Sequence, residues 1–417
     1  VEDLLLLVHR LPYPPNKGDK IRSWHLLKHL ACRYRVHLAT FVDDEDDWQH
    51  VPVVQAVCAS SHFARLNPRA ARLRSLGALL ANRALSLDYY HDAGLRRWVD
   101  QTMRERGIRR IVVFSSPMAQ FAEPYASARR VVDLCDVDSD KWRQYAEKKP
   151  WPASLLYRYE ASRLLRYERH IAATTNASLL VSAPEAELFR SLAPESAARI
   201  GWFSNGVDTA YFAPGDFANP YVPGERALVF CGAMDYWPNV DAVQWFVQHV
   251  LPALQGVRFY IVGARPAPEV QALAAQPNVV VTGTVPDVRP YVQHAVLSVA
   301  PLRIARGIQN KVLEAMAMAK TVVLTPQALE GIDAAVGREL LLAADAPQTI
   351  AAITTALAGP PEALSGIGAA ARARVEASYS WDARLAPLDA LIDTPPGHAG
   401  ADTGAAPLAA SPTWTQA

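Results

Sequence analysis

The stretch from 296 to 326 reads VLSVAPLRIARGIQNKVLEAMAMAKTVVLTP. It opens on a β-branched apolar run, crosses a loop bearing Arg303, Arg306 and Gly307, continues as a short helical pattern, and closes on a second β-branched run. Strand, loop, helix, strand is the repeating unit of a parallel sheet, because parallel neighbours need a crossover, usually helical, to join them. One acid, Glu314, interrupts the otherwise apolar helix, and two cations, Arg306 and Lys311, stand just before it.

The same unit recurs on both sides of this stretch. Short apolar runs at 3–9, 35–42, 110–116, 130–136 and 177–183 alternate with helix-patterned segments. After 220 the pattern restarts at 227–232, 258–264, 279–285, 296–302, 321–326 and 339–344. Near-continuous apolar runs are what a sheet covered on both faces requires. The expected fold class is α/β, with two tandem doubly wound Rossmann-like domains facing a cleft, which suits a chain of 417 residues. The N-terminal domain is expected over 1–205 and the C-terminal domain over 206–378. Their join falls in SNGVDTAYFAPGDFANPYVPGE (204–225), where Gly, Pro, Asn and Asp cluster. Residues 379–393 read as a closing helix packing back toward the N-terminal domain, and the Ala-, Pro- and Gly-rich 394–417 as a disordered tail.

Composition removes several function classes. Half of the residues are hydrophobic and a fifth charged, a globular balance, and the net charge of +1 argues against nucleic acid as a partner. No G-x-G-x-x-G follows any strand, which sets dehydrogenases aside. Cys32, Cys58, Cys135 and Cys231 are scattered, pointing to a reducing compartment and no structural metal. VEDLLLLVHR reads as a first buried strand rather than a signal peptide, and no run reaches the ~18 apolar residues of a membrane span. The expected location is cytoplasmic, free or peripheral on the inner face of the plasma membrane. The peripheral alternative comes from charge: residues 61–110 hold eleven arginines against four acids. In YRYEASRLLRYERH (157–170), Arg163, Arg166, Arg169 and His170 share adjoining helix faces. That surface is either an ordinary solvated amphipathic helix or a seat on anionic lipid.

The opening stretch also carries chemistry. Backbone N–H groups at the helix start, around Ile308, Gln309 and Asn310, lack intrahelical partners and suit a phosphate, and Gly307 lets a ligand approach the main chain closely. One turn further, Glu314 offers carboxylate lone pairs to vicinal hydroxyls. A phosphate beside a diol describes a nucleotide. The alternative is a solvated surface acid with Lys311 as its i, i+3 neighbour. His9 and His25, near the first loop, read as core or cap residues, with catalysis as the other possibility.

Taken in order, LPYPPNKGDKIRSWHLLKHL after the first strand, NGVD at 205–208, FCG at 230–232, TGTVPDVRPYVQHA at 282–295, LEAMA at 313–317 and the closing YSWDARLAPLDALI resemble glycosyltransferase family 4, retaining enzymes of the GT-B fold. More narrowly, RLPYPPNKGDKIRSW, DLCDVDSDKW and RGIQNKVLEAMAMAK are similar to sugar transferases associated with PEP-CTERM/exosortase systems in bacterial exopolysaccharide loci. The resemblance implies a nucleotide-sugar donor, a glycan or lipid-linked acceptor, and no metal or other cofactor. It also implies front-face displacement, in which the departing phosphate takes the acceptor's proton.

By the same resemblance Glu314 binds the nucleotide ribose, the turn at Gly307, Ile308 and Gln309 approaches the donor, Gly232 ends the strand beneath it, and Gly18 faces the diphosphate. Three positions depart from the family pattern. Arg306 stands where relatives carry a first glutamate beside the donor sugar, and the phosphate-clamping Arg and Lys fall at Ala233 and Pro238. Arg303, Arg306 and Lys311 are expected to replace that pair and stabilise the leaving diphosphate, unless Arg306 merely pairs with an acid. Asp136 and Asp138, in DLCDVDSDKW at the end of a strand, are candidates for orienting the acceptor hydroxyl. Their alternative is a turn or helix cap in which Ser139 and Asp140 cap KWRQYAEKK. A nucleotide-sugar 2-epimerase and a non-catalytic sugar-nucleotide scaffold remain the competing readings.

Overall fold

The computed structural model describes residues 1–15, 17–148, 150–305 and 308–394. Arg306, Gly307 and the expected tail from 395 onward lie outside the described residues. The chain divides into two units, Val1–Asn205 with the segment from Leu385, and Gly206–Arg384.

The first unit is built on strands β1 (Asp3–Val8), β2 (Arg35–Val42), β3 (Ser60–Arg65), β4 (Arg110–Phe114), β5 (Arg129–Cys135), β6 (Ala177–Leu180) and β7 (Ile200–Trp202). They form one sheet in the order β3-β2-β1-β4-β5-β6-β7, every pair parallel. The second holds β8 (Ala227–Cys231), β9 (Arg258–Val262), β10 (Val279–Gly283), β11 (Leu297–Ala300), β12 (Val322–Leu324) and β13 (Leu341–Leu342), in the order β10-β9-β8-β11-β12-β13 and likewise all parallel. The expected α/β class with two doubly wound sheets is borne out. The strand order reverses between β1 and β4 in one sheet and between β8 and β11 in the other, which makes the carboxyl ends there the natural ligand sites.

Burial explains why the apolar runs were continuous. Leu4 to Val8 of β1 are all sealed, and Leu5 and Leu7 join Phe41, Val113 and Phe121 in one core. In the second unit Leu228 and Phe230 of β8 pack with Phe246, Phe259, Ile261, Leu313 and Met316. Two edge elements, β3 (SSHFAR) and β7 (IGW), were not anticipated, because a polar or very short edge strand lacks the apolar run. The run at 339–344 yields only the two-residue β13.

A buried ion pair pins the first unit. Arg22, on the helix Gly18–Ala31, donates to Asp133 at 2.7 and 3.1 Å, to the Phe203 carbonyl at 3.1 Å and to Asn205 Oδ1 at 2.9 Å, and its guanidinium lies 3.8 Å over the Phe203 ring. From Gly206 on, the stretch 204–225 belongs to the second unit. Tyr221 is buried and donates to the Tyr291 carbonyl, Arg289 stacks 3.9 Å over Tyr211, and Gln293 bonds both backbone groups of Gly215. From Leu385 on, the last helix, Trp381–Asp393, belongs to the first unit, where Asp389 meets His29 and Arg129 donates to the Leu391 carbonyl.

The basic face expected over 163–170 is partly spoken for. Arg163 donates to Asn82 Oδ1 at 2.6 Å and Arg169 to Glu195 at 2.8 Å, so these guanidiniums are turned to protein partners.

Candidate active site

At the carboxyl end of β8 the chain runs Cys231, Gly232, Ala233, and at that of β9 Val262, Gly263, Ala264. The two turns lie against one another: Gly232 N–H donates to the Val262 carbonyl at 3.0 Å and Met234 N–H to that of Ala264 at 2.9 Å. A Cβ on Gly263 would overlap the Gly232 carbonyl oxygen, and one on Gly232 would fall 2.7 Å from Asn239 Nδ2 and 3.3 Å from Lys311 Cε. Only glycine permits this approach, and main chain therefore forms the floor of a pocket.

The pocket is about 450 Å³. Thr284, Val285 and Val288, after β10, line another side, and Asn310, Lys311 and Glu314 close it from the helix Asn310–Ala317. That helix begins after Gln309 with no side-chain cap; Val312 N–H donates to the Gln309 carbonyl, and among the described residues the Asn310 and Lys311 N–H groups are left as donors for an anion.

Two charges dominate the wall. Lys311 Nζ donates to Asn239 Oδ1 at 2.8 Å and lies 5.4 Å from the Phe230 ring centroid. Asn239 is buried, and its Nδ2 donates to the Ala233 carbonyl at 2.9 Å, so one amide orients both the lysine and the turn after β8. Burial lowers the Lys311 pKa to about 8, against the pull of Glu314. Burial raises that of Glu314 to about 7, with only the Lys311 charge opposing it. Among the described residues no hydrogen bond holds the Glu314 carboxylate, although it is partly buried. It is not the solvated surface acid of the alternative reading; it is a desolvated acceptor open to the pocket. Burial pushes the neighbouring Cys231 thiol up to about 12, which leaves it protonated and inert at neutral pH.

Of the expected donor residues, the structure brings together Gly232, Asn310, Lys311 and Glu314. Gln309 is the N-cap, and Ile308 packs toward Gly331. Arg303 does not line the pocket; its guanidinium grips Asp241 through two contacts, Nε at 3.0 Å. Gly18 begins the Gly18–Ala31 helix of the other unit, with open space around its Cα. Asn239 and Gly263 were missed. Gly263 had a signal, since RFYIVG (258–263) ends on a glycine just as ALVFCG does; Asn239 had none, because a buried amide with two partners looks like any helix-start asparagine in a sequence.

In the first unit, the four acids of DLCDVDSDKW separate into distinct roles. Asp133 is the closed partner of Arg22. Asp136 and Asp138 share Lys141, whose Nζ lies 2.6 Å from one and 3.3 Å from the other. Burial raises the Asp138 pKa and Lys141 opposes it. Asp140 pairs with Arg143 and Gln144. The expected cap by Ser139 and Asp140 is corrected: both lie inside the helix Asp138–Lys148, and the acceptor for the Ser139 N–H is Glu168, at 3.2 Å, from the helix Ala153–Thr174. Glu168 also accepts from Ser139 Oγ at 2.5 Å, and burial lifts its pKa to about 8 despite those bonds. His9 stacks 5.5 Å from Phe114 and sits 3.4 Å from Asp19, a packed position.

Residues 225–359 match the family described as glycosyl transferases group 1. This group 1 segment contains β8 to β13 and every residue of the pocket. Among solved structures, a sucrose-phosphate synthase from Thermosynechococcus elongatus is similar over 94% of this chain and 98% of its own, with TM-score 0.62 and 17% identity. Anabaena HepE, solved in complex with UDP-glucose, is similar over 94% of this chain and all of its own, at 0.56 and 14%. WaaG, a glycosyltransferase involved in lipopolysaccharide biosynthesis, gives 0.54 and 15% over 93% of this chain and 98% of its own. The fold is thus the GT-B layout of these structures, with the group 1 segment inside its second unit. No curated protein sequence matches the chain.

Proposed function

We propose that the protein is a nucleotide-sugar-dependent glycosyltransferase whose donor occupies the pocket between β8, β9 and the helix Asn310–Ala317. The observation that carries this reading is the desolvated Glu314 carboxylate, which accepts no hydrogen bond among the described residues, one turn above a helix start with no side-chain cap and beside Lys311. A carboxylate acceptor for a ribose diol and a cation with free N–H groups for a diphosphate match the two polar ends of a nucleoside diphosphate. The group 1 match over the same residues and the UDP-glucose in HepE support it.

The finer reading follows the family resemblance. The transfer is retaining and metal-independent and moves a hexose to a hydroxyl of a glycan or lipid-linked acceptor, in the cytoplasm, during exopolysaccharide synthesis of the PEP-CTERM/exosortase type. The donor C1–O bond breaks toward the diphosphate, the acceptor oxygen bonds C1 on the same face, and its proton leaves with the phosphate. Lys311 and the helix start stabilise the charge that gathers there, with Arg306 assisting. Asp136 or Asp138, held by Lys141, orients the acceptor hydroxyl.

A thermal-shift panel of nucleotide sugars tests the first step, since a ligand bound only by the folded chain raises the apparent melting temperature. Slow release of nucleoside diphosphate from one donor, unaffected by EDTA, marks a transferase. Interconversion of two nucleotide sugars marks an epimerase, and binding without turnover a scaffold. A chain stabilised by no nucleotide or nucleotide sugar would overturn the reading.

A further inference from the structure

The N-terminal unit carries a surface to which the pocket and its chemistry assign no role. From Leu66 to Leu87 the sequence holds Arg69, Arg72, Arg74 and Arg83 and no acid. Two short helices form there, Pro68–Ser75 and Gly77–Leu80, and their polarity is inverted. The buried positions are the small residues Ala71, Ser75 and Ala78, while Leu73, Leu76, Leu79 and Leu80 face solvent, Leu73 at 73% and Leu80 at 96% exposure. A helix whose only task is packing buries its large apolar side chains and shows the small ones.

The long helix Ala153–Thr174 adds a second strip to the same side. Tyr159 Oη donates to the Ala78 carbonyl at 3.2 Å, and Arg163 to Asn82, which fixes this helix beside the short pair. One turn before Tyr159, on its face, is Leu155, and just ahead of the helix is Trp151; both are exposed, Trp151 at 76%. Arg69, Arg72 and Arg158 are exposed around these apolar groups. The acids that flank this face in sequence are engaged: Asp88 pairs with Arg83, Glu147 with Arg143, and Glu160 turns inward to the Leu85 and Ser86 N–H groups.

We propose that this face, formed by residues 68–83 and the start of the Ala153–Thr174 helix, docks on the interface of an anionic lipid membrane. The leucines reach the acyl boundary, Trp151 sits at headgroup depth, and the arginines meet lipid phosphates. Charge selects the membrane over a second copy of the chain, because a two-fold contact through this patch would set arginine against arginine with no acid to answer it. No described helix is long and apolar enough to cross a membrane, so the contact lies in the plane of the interface.

Flotation of the full chain with phosphatidylcholine vesicles, with and without phosphatidylglycerol, tests this. The chain is expected to float only with the anionic vesicles and to leave them at high salt. Arg69→Glu with Arg72→Glu is expected to weaken binding at least about tenfold, as reversal of two interfacial cations implies. Leu76→Asp with Leu80→Asp is expected to abolish it, and Arg169→Glu, on the face already paired with Glu195, to leave it unchanged. Unaltered circular dichroism and melting show that each variant folds. If one does not, quenching of the parent by brominated lipid, lost in Trp151→Phe, reports the same contact. No flotation, equal flotation on neutral vesicles, or a concentration-dependent dimer that Leu80→Asp dissolves would each overturn the proposal. Nucleotide binding by the other unit is a separate measurement, and its outcome does not bear on this one.

Discussion

Arg22 with Asp133 and Lys311 with Glu314 both place a cation and a carboxylate inside a parallel α/β unit, one pair in each. Arg22 is saturated: its donors reach both Asp133 oxygens, a carbonyl and an amide, and its face is covered by Phe203. Among the described residues Lys311 has one hydrogen-bond partner, Asn239, and the Glu314 carboxylate has none, and burial drives their pKa values toward each other, to about 8 and about 7. A closed pair holds a fold. An open pair is costly to the empty protein and gains its missing contacts from a ligand.

The comparison breaks most visibly at Arg22. Arg22→Met leaves Asp133 buried without its cation and is expected to cost ~3–5 kcal/mol of stability in chemical denaturation, while Arg22→Met with Asp133→Leu recovers most of it. Glu314→Gln is expected to do the reverse. Its melting temperature holds or rises, and donor affinity or kcat/KM falls by about a hundredfold, from two charge-assisted hydrogen bonds at ~1.5–3 kcal/mol each, part of which the amide retains. A Glu314→Gln protein that unfolds but binds donor normally would erase the distinction between the pairs.

The pH response sharpens it further. Glu314 is raised from 4.5 to about 7, so between those values the folded chain holds more protons than the unfolded one, and stability falls as pH rises. Lys311 is lowered from 10.5 to about 8, so between about 8 and 10.5 the unfolded chain holds more protons, and stability rises with pH. The pair weakens the ligand-free chain most near pH 7 to 8. Binding of a nucleoside diphosphate needs Glu314 ionised and Lys311 protonated, so the melting shift it produces peaks in that same window. Glu314→Gln removes the acid limb of the profile and Lys311→Met the alkaline limb. The smallest effect belongs to Asn239→Ala: it removes the hydrogen bonds to Lys311 and to the Ala233 carbonyl, and the one to Lys311, at ~1 kcal/mol, corresponds to about fivefold in donor affinity by titration calorimetry.

The sequence disclosed whatever depends on continuous burial. RVHLATFV became β2 without a residue's error, and the strand–loop–helix–strand reading of 296–326 located Glu314 and Lys311 on the pocket wall. It did not disclose partners brought together across many residues. Arg303 was expected at a phosphate and is held by Asp241, 62 positions away; Ser139, a cap in the alternative reading, is itself met by Glu168 from the next helix. Periodicity reports which side of an element is covered, and it carries no information about which distant polar group will arrive there. The inverted helices at 68–80 are the exception of interest, because there the local pattern and the observed burial disagree without any hidden partner among the described residues.

The glycine floor of the pocket constrains how this site can change. Gly232 and Gly263 leave no side chain to substitute beneath the ligand, so a mutation there changes the shape of the strand ends before it changes chemistry. New donor preference has to be written on the walls, at Thr284, Val285 and Val288 or along the start of the Asn310–Ala317 helix, where side chains can be exchanged without moving the sheet. The floor is set by the backbone of two strand ends, and the walls are the part that side-chain exchange can reshape.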